Sequence, residues 1–173
     1  PTKKNGDSDM TSSSKIRIAV VMGSDSDWPK MKSCCEIIKK FGIDCDVKIS
    51  SAHRTPHETA KFAENAVDNG FKVIIAAAGM AAHLAGVIAA HTSLPVIGVP
   101  MDAGPLLGID ALLSTVQMPP NIPVATVGIG SAGAKNAAIL ALHILALSNS
   151  ELAEKLAKHK KELVVSVAEK NKK

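Results

Sequence analysis

The chain has 173 residues, 46% hydrophobic and 21% charged, a balance that suits one folded domain with a full core and excludes a disordered protein. No apolar run reaches the roughly 18 residues that a membrane span needs. The formal charge is +4, but residues 151–173 carry seven lysines against four glutamates, and the chain has no Tyr, one Trp and three Phe. An aromatic base-stacking platform is therefore excluded, and a solvated helix face accounts for the lysines without nucleic acid.

Residues 1–14 are polar and lack the apolar stretch of a secretory signal, so they read as a leader before a single domain over 15–150. "IRIAVVM" (16–22) is a short run rich in branched residues and predicts a strand. Met31, Cys34, Cys35, Ile38 and Phe41 then mark one helical stripe. The three cysteines (Cys34, Cys35, Cys45) lack metal-ligand spacing and suit small core residues, which predicts a cytoplasmic protein. "DVKIS" (46–50) predicts a second strand, followed by a helix from Pro56 to about Asn69. "KVIIAAA", "PVIGV" and "VATVGI" (124–129) predict strands three to five, with apolar helical segments between and after them.

Strands apolar on both faces and alternating with helices imply a parallel sheet covered on both sides. The predicted fold is a three-layer αβα domain, flavodoxin-like, with a C-terminal helical arm over 151–173. On that arm Leu152, Leu156, Leu163 and Val167 form one stripe. Segments 81–90 and 136–147 have almost no polar face, which predicts burial between subunits of a homo-oligomer.

Ligands of parallel α/β sheets bind beyond the carboxyl ends of the strands, so the loops there are the candidate sites. The first, "GSDSDWP" (23–29), offers a tight turn at Gly23 and the Ser24–Ser26 amides to an anion, with Asp27 as a helix N-cap and Pro29 in the first turn. The second, "SAHRTPHE" (51–58), places Thr55, Pro56 and Glu58 as a capping box. Capping explains neither His53 nor Arg54, a proton carrier beside a fork for phosphate or carboxylate. The third, "AGMAAHLAG" (78–86), allows close backbone approach at Gly79 and sets His83 at the start of a helix.

The fourth, "GIGSAG" (128–133), is a literal G-x-G-x-x-G. A dinucleotide fingerprint needs a further strand with an acidic residue roughly 20 residues on. None follows here, so no nicotinamide or flavin cofactor is expected and the loop remains an anion-binding candidate. His57, His91, His143 and His159 lack a supporting constellation and receive no role.

Together "MGSDSDW", "SAHRTP", "AAHLAG", "LPVIGVP" and "LLSTVQMPPNIPVATVGIG" resemble the N5-carboxyaminoimidazole ribonucleotide mutases of purine synthesis, from about Ile16 to Leu147. The resemblance implies a reaction with no metal or organic cofactor and a small ribonucleotide as substrate. Its expected products come from moving a carboxylate off the exocyclic nitrogen onto a ring carbon. It makes His53 the catalytic acid and then base. It makes Ser24, Ser26, Asp27, Ser51, Arg54, Gly79, His83 and Leu84 substrate-binding, with phosphate at Arg54 and the serine loop and ribose at Asp27. It also implies an octamer. The chain departs from the family's "GGAAHLPG" at Met80 and Ala85. Two alternatives stay open: direct carboxylation of aminoimidazole ribonucleotide, and a silent nucleotide-phosphate-binding oligomer.

Overall fold

A computed structural model of the chain describes residues 16–172; the predicted leader lies outside them. Five parallel strands form the sheet: β1 (Arg17–Met22), β2 (Asp44–Ile49), β3 (Phe71–Gly79), β4 (Val96–Met101) and β5 (Ala125–Thr126). Their order is β2-β1-β3-β4-β5, the flavodoxin-like arrangement, in which successive strands leave β1 in opposite directions. The helices are α1 (Trp28–Lys40), α2 (Pro56–Glu64), α3 (Leu84–Ala90), α4 (Ile109–Val116), α5 (Gly130–Ala146) and α6 (Ser150–Lys170).

The period-two alternation of the strands builds two separate cores. Ile18, Val20, Met22, Val73, Ile75, Ala77, Ile97 and Val99 face α1, α5 and the start of α6. Ala19, Val21, Ile74, Ala76 and Val96 face the other layer, where α3 supplies Leu84, Ala85 and Ile88. Cys34 and Cys35 are buried core residues of α1, and all three thiols are free.

Several boundaries differ from the sequence reading, each for a local reason. The second helix ends at Glu64 and continues to Gly70 only as turns, which Gly70 closes at a φ of 81°. The third helix begins at Leu84, because Met80 leaves the strand with a left-handed φ of 56°. The fifth strand shrinks to two residues at the sheet edge, where it pairs with Ile97 and Gly98 before the chain turns into α5. The second strand is not buried on both faces: it is the opposite edge, and Val47 and Ile49 are exposed.

The apolar α5 also differs in what covers it. Ala134, Ala137, Ala138, Ala141, Leu142 and Leu145 are buried within this chain, in the same core as α1, Leu152 and Leu156. Most of that helix is therefore covered within this chain, whereas Leu147 at its end is 89% exposed. The arm's stripe is split, with Leu152 and Leu156 buried but Leu163 and Val167 54% and 60% exposed.

The G-x-G-x-x-G loop has a packing role. A Cβ on Gly133 would fall onto the Gly128 carbonyl oxygen, so the helix can fold back on its own entry loop only with glycine there. We expect Gly133→Ala to destabilise the chain by about 3 kcal/mol, because backbone must move to admit the methyl group. Urea unfolding checks this, and a loss below about 0.5 kcal/mol would show that the loop yields freely.

Candidate active site

The two strands flanking β1 carry their following loops over its carboxyl end, and a cavity of about 520 Å³ lies between them. It opens at the β1/β3 switch point, where the chain first leaves β1 for one neighbour and later returns to the other. All nine residues singled out from the sequence line it: Ser24, Ser26, Asp27, Ser51, His53, Arg54, Gly79, His83 and Leu84. Ala52, Ala78, Met80, Ala81 and Ala103 help to complete the wall; Ala78 and Ala103 had no sequence signal beyond a place beside a strand end.

The β2 loop is shaped by Thr55. Its hydroxyl accepts the Ser51 N–H at 3.1 Å and donates to the Ser51 carbonyl at 3.0 Å, closing a turn over residues 51–55. The predicted capping box does not form, because Thr55 spends its hydroxyl backwards on this turn and makes no side-chain cap to α2. His53 and Arg54 are thereby displayed at the crest. Ser51 Oγ accepts from the Arg54 N–H at 3.2 Å and from Nε at 3.4 Å, while Nη2 donates to the Gly23 carbonyl at 3.2 Å. Two of the five guanidinium N–H groups are thus used to orient the fork, leaving three for an anion.

The β1 loop folds as a single 3-10 turn, Asp25–Asp27, capped by Ser24, whose Oγ accepts the Ser26 N–H at 3.3 Å. Ser26 Oγ donates to Ser24 Oγ at 2.9 Å, so both hydroxyls sit together at the cavity mouth. Asp27 does not cap α1 as predicted. It turns inward and is 8% exposed. Burial pushes its carboxyl above the ordinary range, opposed by a hydrogen bond from the Ser24 backbone and by the charge of Lys30. Lys30 itself binds Asp102 at 2.6 Å, joining the first turn of α1 to the loop after β4 and holding the Asp102 carboxyl low. Both partners are about two-fifths exposed, so the bridge steers the rim more than it stabilises the fold.

Across the cavity, His53 Nε2 lies 2.8 Å from His83 Nδ1, with the rings edge to face at 80°. Their residues are 30 apart in sequence. A hydrogen bond between two imidazole nitrogens needs one protonated and one bare. Gly79, the last residue of β3, is packed so closely that an added Cβ would come within 2.7 Å of Ala103 Cβ. Met80 stands over Gly104, 54% exposed at the rim.

Other candidates fall elsewhere. The 128–133 loop does not line the cavity; Gly130 packs behind Asp102. His91 pairs with Glu64 at 3.2 Å, and His159 meets the edge of Phe41. Among the described residues no group of three metal-ligating side chains converges, and no helix is long and apolar enough to cross a membrane.

The AIR carboxylase family model matches residues 17–165, all of the sheet and every loop of the cavity. The chain belongs to the AIR carboxylase family. Relatives of the family called N5-carboxyaminoimidazole ribonucleotide mutase include one from Pyrococcus abyssi, 52% identical over 85% of this chain and 83% of that one. Another, from Escherichia coli, is 53% identical over 81% and 83%. The crystal structure of Treponema denticola PurE matches with a TM-score of 0.81 at 26% identity, over 91% of this chain and 98% of that one. A single-residue variant of PurE2 from the same organism gives a TM-score of 0.83 at 25% identity, over 91% and 97%. The three-layer flavodoxin-like fold is therefore the family's own.

Asp27 carries a pH-dependent cost. Its folded-state value is raised, so the stabilising contribution of the protonated form is complete below the ordinary carboxyl value and is lost as pH rises through the raised one. Asp27→Asn should accordingly raise the melting temperature at pH 8, with the gain fading by pH 3 where the native carboxyl is already neutral. Scanning calorimetry at the two pH values measures this, and an equal effect at both would show that burial of the charge is not the cause.

Proposed function

We propose that the chain converts N5-carboxyaminoimidazole ribonucleotide to 4-carboxyaminoimidazole ribonucleotide in purine biosynthesis, with His53 as the proton carrier. Membership of the AIR carboxylase family and the curated names of relatives at about half identity support the reaction. The observation that carries the assignment of residues is the convergence of His53, Arg54 and His83 in one cavity at the switch point. A volume of about 520 Å³ is that of a pocket for one small ligand.

In this reading the phosphate meets the three remaining N–H groups of Arg54 and the Ser24 and Ser26 hydroxyls, which turn to it from their bonds to Asp25 and to each other. Asp27 accepts from ribose hydroxyls, and a buried carboxylate makes such bonds strong. Gly79, Ser51, His83 and Leu84 line the base and its carboxylate. His53 gives a proton to the carbamate nitrogen, the C–N bond to the carboxylate breaks, and carbon dioxide is released inside the cavity. The ring carbon of the electron-rich aminoimidazole attacks that carbon dioxide. His53 then removes the proton from the same carbon and aromaticity returns, so the proton count closes on one side chain.

We assign residues 15–150 as the catalytic unit of a cytoplasmic enzyme, with 151–173 as an arm. We also propose that it works as an oligomer, an octamer by the family expectation. Leu106, Leu107, Ile109, Leu113 and Val116, on α4 and the turn before it, lie exposed, apolar surface that a second copy would cover. Sedimentation equilibrium should return eight chains per particle, and a stable monomer at micromolar concentration would contradict association.

The reaction is tested by supplying the N-carboxylated ribonucleotide without ATP, metal or bicarbonate. The parent should turn over, and His53→Asn should lose about 10³-fold in kcat while still binding nucleotide. Arg54→Lys keeps the charge but not the fork, so its loss should fall on KM. Turnover by the parent only with added bicarbonate would replace the mutase by a direct carboxylase, and near-normal kcat in His53→Asn would remove His53 from the chemistry.

A further inference from the structure

His83 reaches His53 from a loop that has few anchors of its own. Residues 80–83 leave β3 at Met80, whose φ is 56°, and enter a helix of seven residues. Within the loop the His83 N–H donates to the Ala81 carbonyl at 2.9 Å, which tightens a turn without fastening it to the sheet. The fastening comes from α4. Ser114 Oγ accepts the Ala82 N–H at 3.0 Å. The same hydroxyl donates to the Asp110 carbonyl at 2.8 Å, with the Ala111 carbonyl 3.3 Å away. Its single hydrogen is directed into its own helix, so its lone pairs face the loop. Ala82 is 1% exposed, and water cannot readily replace that acceptor.

We propose that Ser114 is a positioning residue for proton transfer. By fixing Ala82 it holds His83 Nδ1 as a bare acceptor against the His53 Nε2–H, so that His53 trades protons with substrate through Nδ1 alone. This rests on the mutase reading above. The direction of the hydrogen bond follows from the chemistry. To act as an acid, His53 carries protons on both ring nitrogens, and its Nε2–H then points at His83 Nδ1, 2.8 Å away. A proton on that Nδ1 would set two N–H groups against each other. His83 therefore keeps its proton on Nε2, and His53 alternates between imidazolium and the neutral Nε2–H form. The Nδ1–H bond breaks when the carbamate nitrogen gains the proton and re-forms when the ring carbon releases one.

Without the hydroxyl, the Ala82 N–H loses its partner and the loop no longer holds the two rings in register. The test uses the full chain with Ser114→Ala and Ser114→Thr, assayed with the N-carboxylated ribonucleotide. Nitrogen-15 NMR of labelled histidine, assigned with His53→Asn and His83→Asn, follows the tautomers in the unliganded protein. Ser114→Ala should lower kcat by about tenfold, with KM changed by less than about twofold, because a slight misplacement of reacting groups acts on the chemical step. The His53 nitrogens should shift from a fixed Nε2–H pattern toward the average of both tautomers, and Ser114→Thr should restore rate and spectrum together. An unmoved histidine spectrum in Ser114→Ala would overturn the proposal, and so would a normally melting Ser114→Thr that restores neither. The spectrum does not depend on turnover. A parent without mutase activity whose His53 signals still respond to Ser114 would remove the function reading and leave the positioning role supported.

Discussion

The contact between His53 and His83 is 2.8 Å long, yet the strands that deliver the two rings are not neighbours. β1 lies between them, and adjacent strands stand about 4.8 Å apart, so β2 and β3 are separated by about twice that. The loops must lean inward over the end of β1 for the rings to meet. Three contacts around the cavity hold that inward lean. Thr55 closes the β2 loop on Ser51, Arg54 ties it to Gly23 at the end of β1, and Ser114 fastens the β3 loop from below.

In the scaffold beneath, the two faces of the sheet are filled by different means. One face takes long side chains between the strands and α1, and small ones on α5, so that the helix can lie close. The other is shallower, with α3 contributing Leu84, Ala85 and Ile88. Ala52, Ala78, Ala81 and Ala103 keep the cavity wall low, so that a ligand can approach the backbone. The exposed β2 edge and the apolar residues on α4 leave two parts of the surface less finished than the core.

Charge is arranged by burial as well as by pairing. Asp27 sits beneath the serine loop, its carboxyl raised by desolvation, whereas Asp102 lies on the rim with its carboxyl lowered by the hydrogen bond from Lys30. One lysine near two carboxylates thus completes a pair with the exposed one and only tempers the buried one. A buried acidic group that costs stability is the kind of feature that a polar ligand would offset.

The sequence by itself determined the layers and the loops. Branched, apolar runs alternating with helical stripes can form little other than a parallel sheet covered on both sides, and such a sheet places its ligands at strand ends. His53 and Arg54 were legible because no capping role explained them, and Gly79 and His83 because they stand at the end of a buried strand and in the loop after it. Tertiary structure decided the rest. That α5 is covered by α1 and α6, that Asp27 turns inward, and that Thr55 bonds backwards to Ser51 all depend on which neighbour is nearest. Ser114 stands in a motif that carried the resemblance, but its contact was hidden, since a serine inside an apolar helix looks like any other until Ala82 is seen beside it, 32 residues away in sequence. Periodicity reports which face of an element is apolar; it does not report which polar atom of a distant element that face will meet.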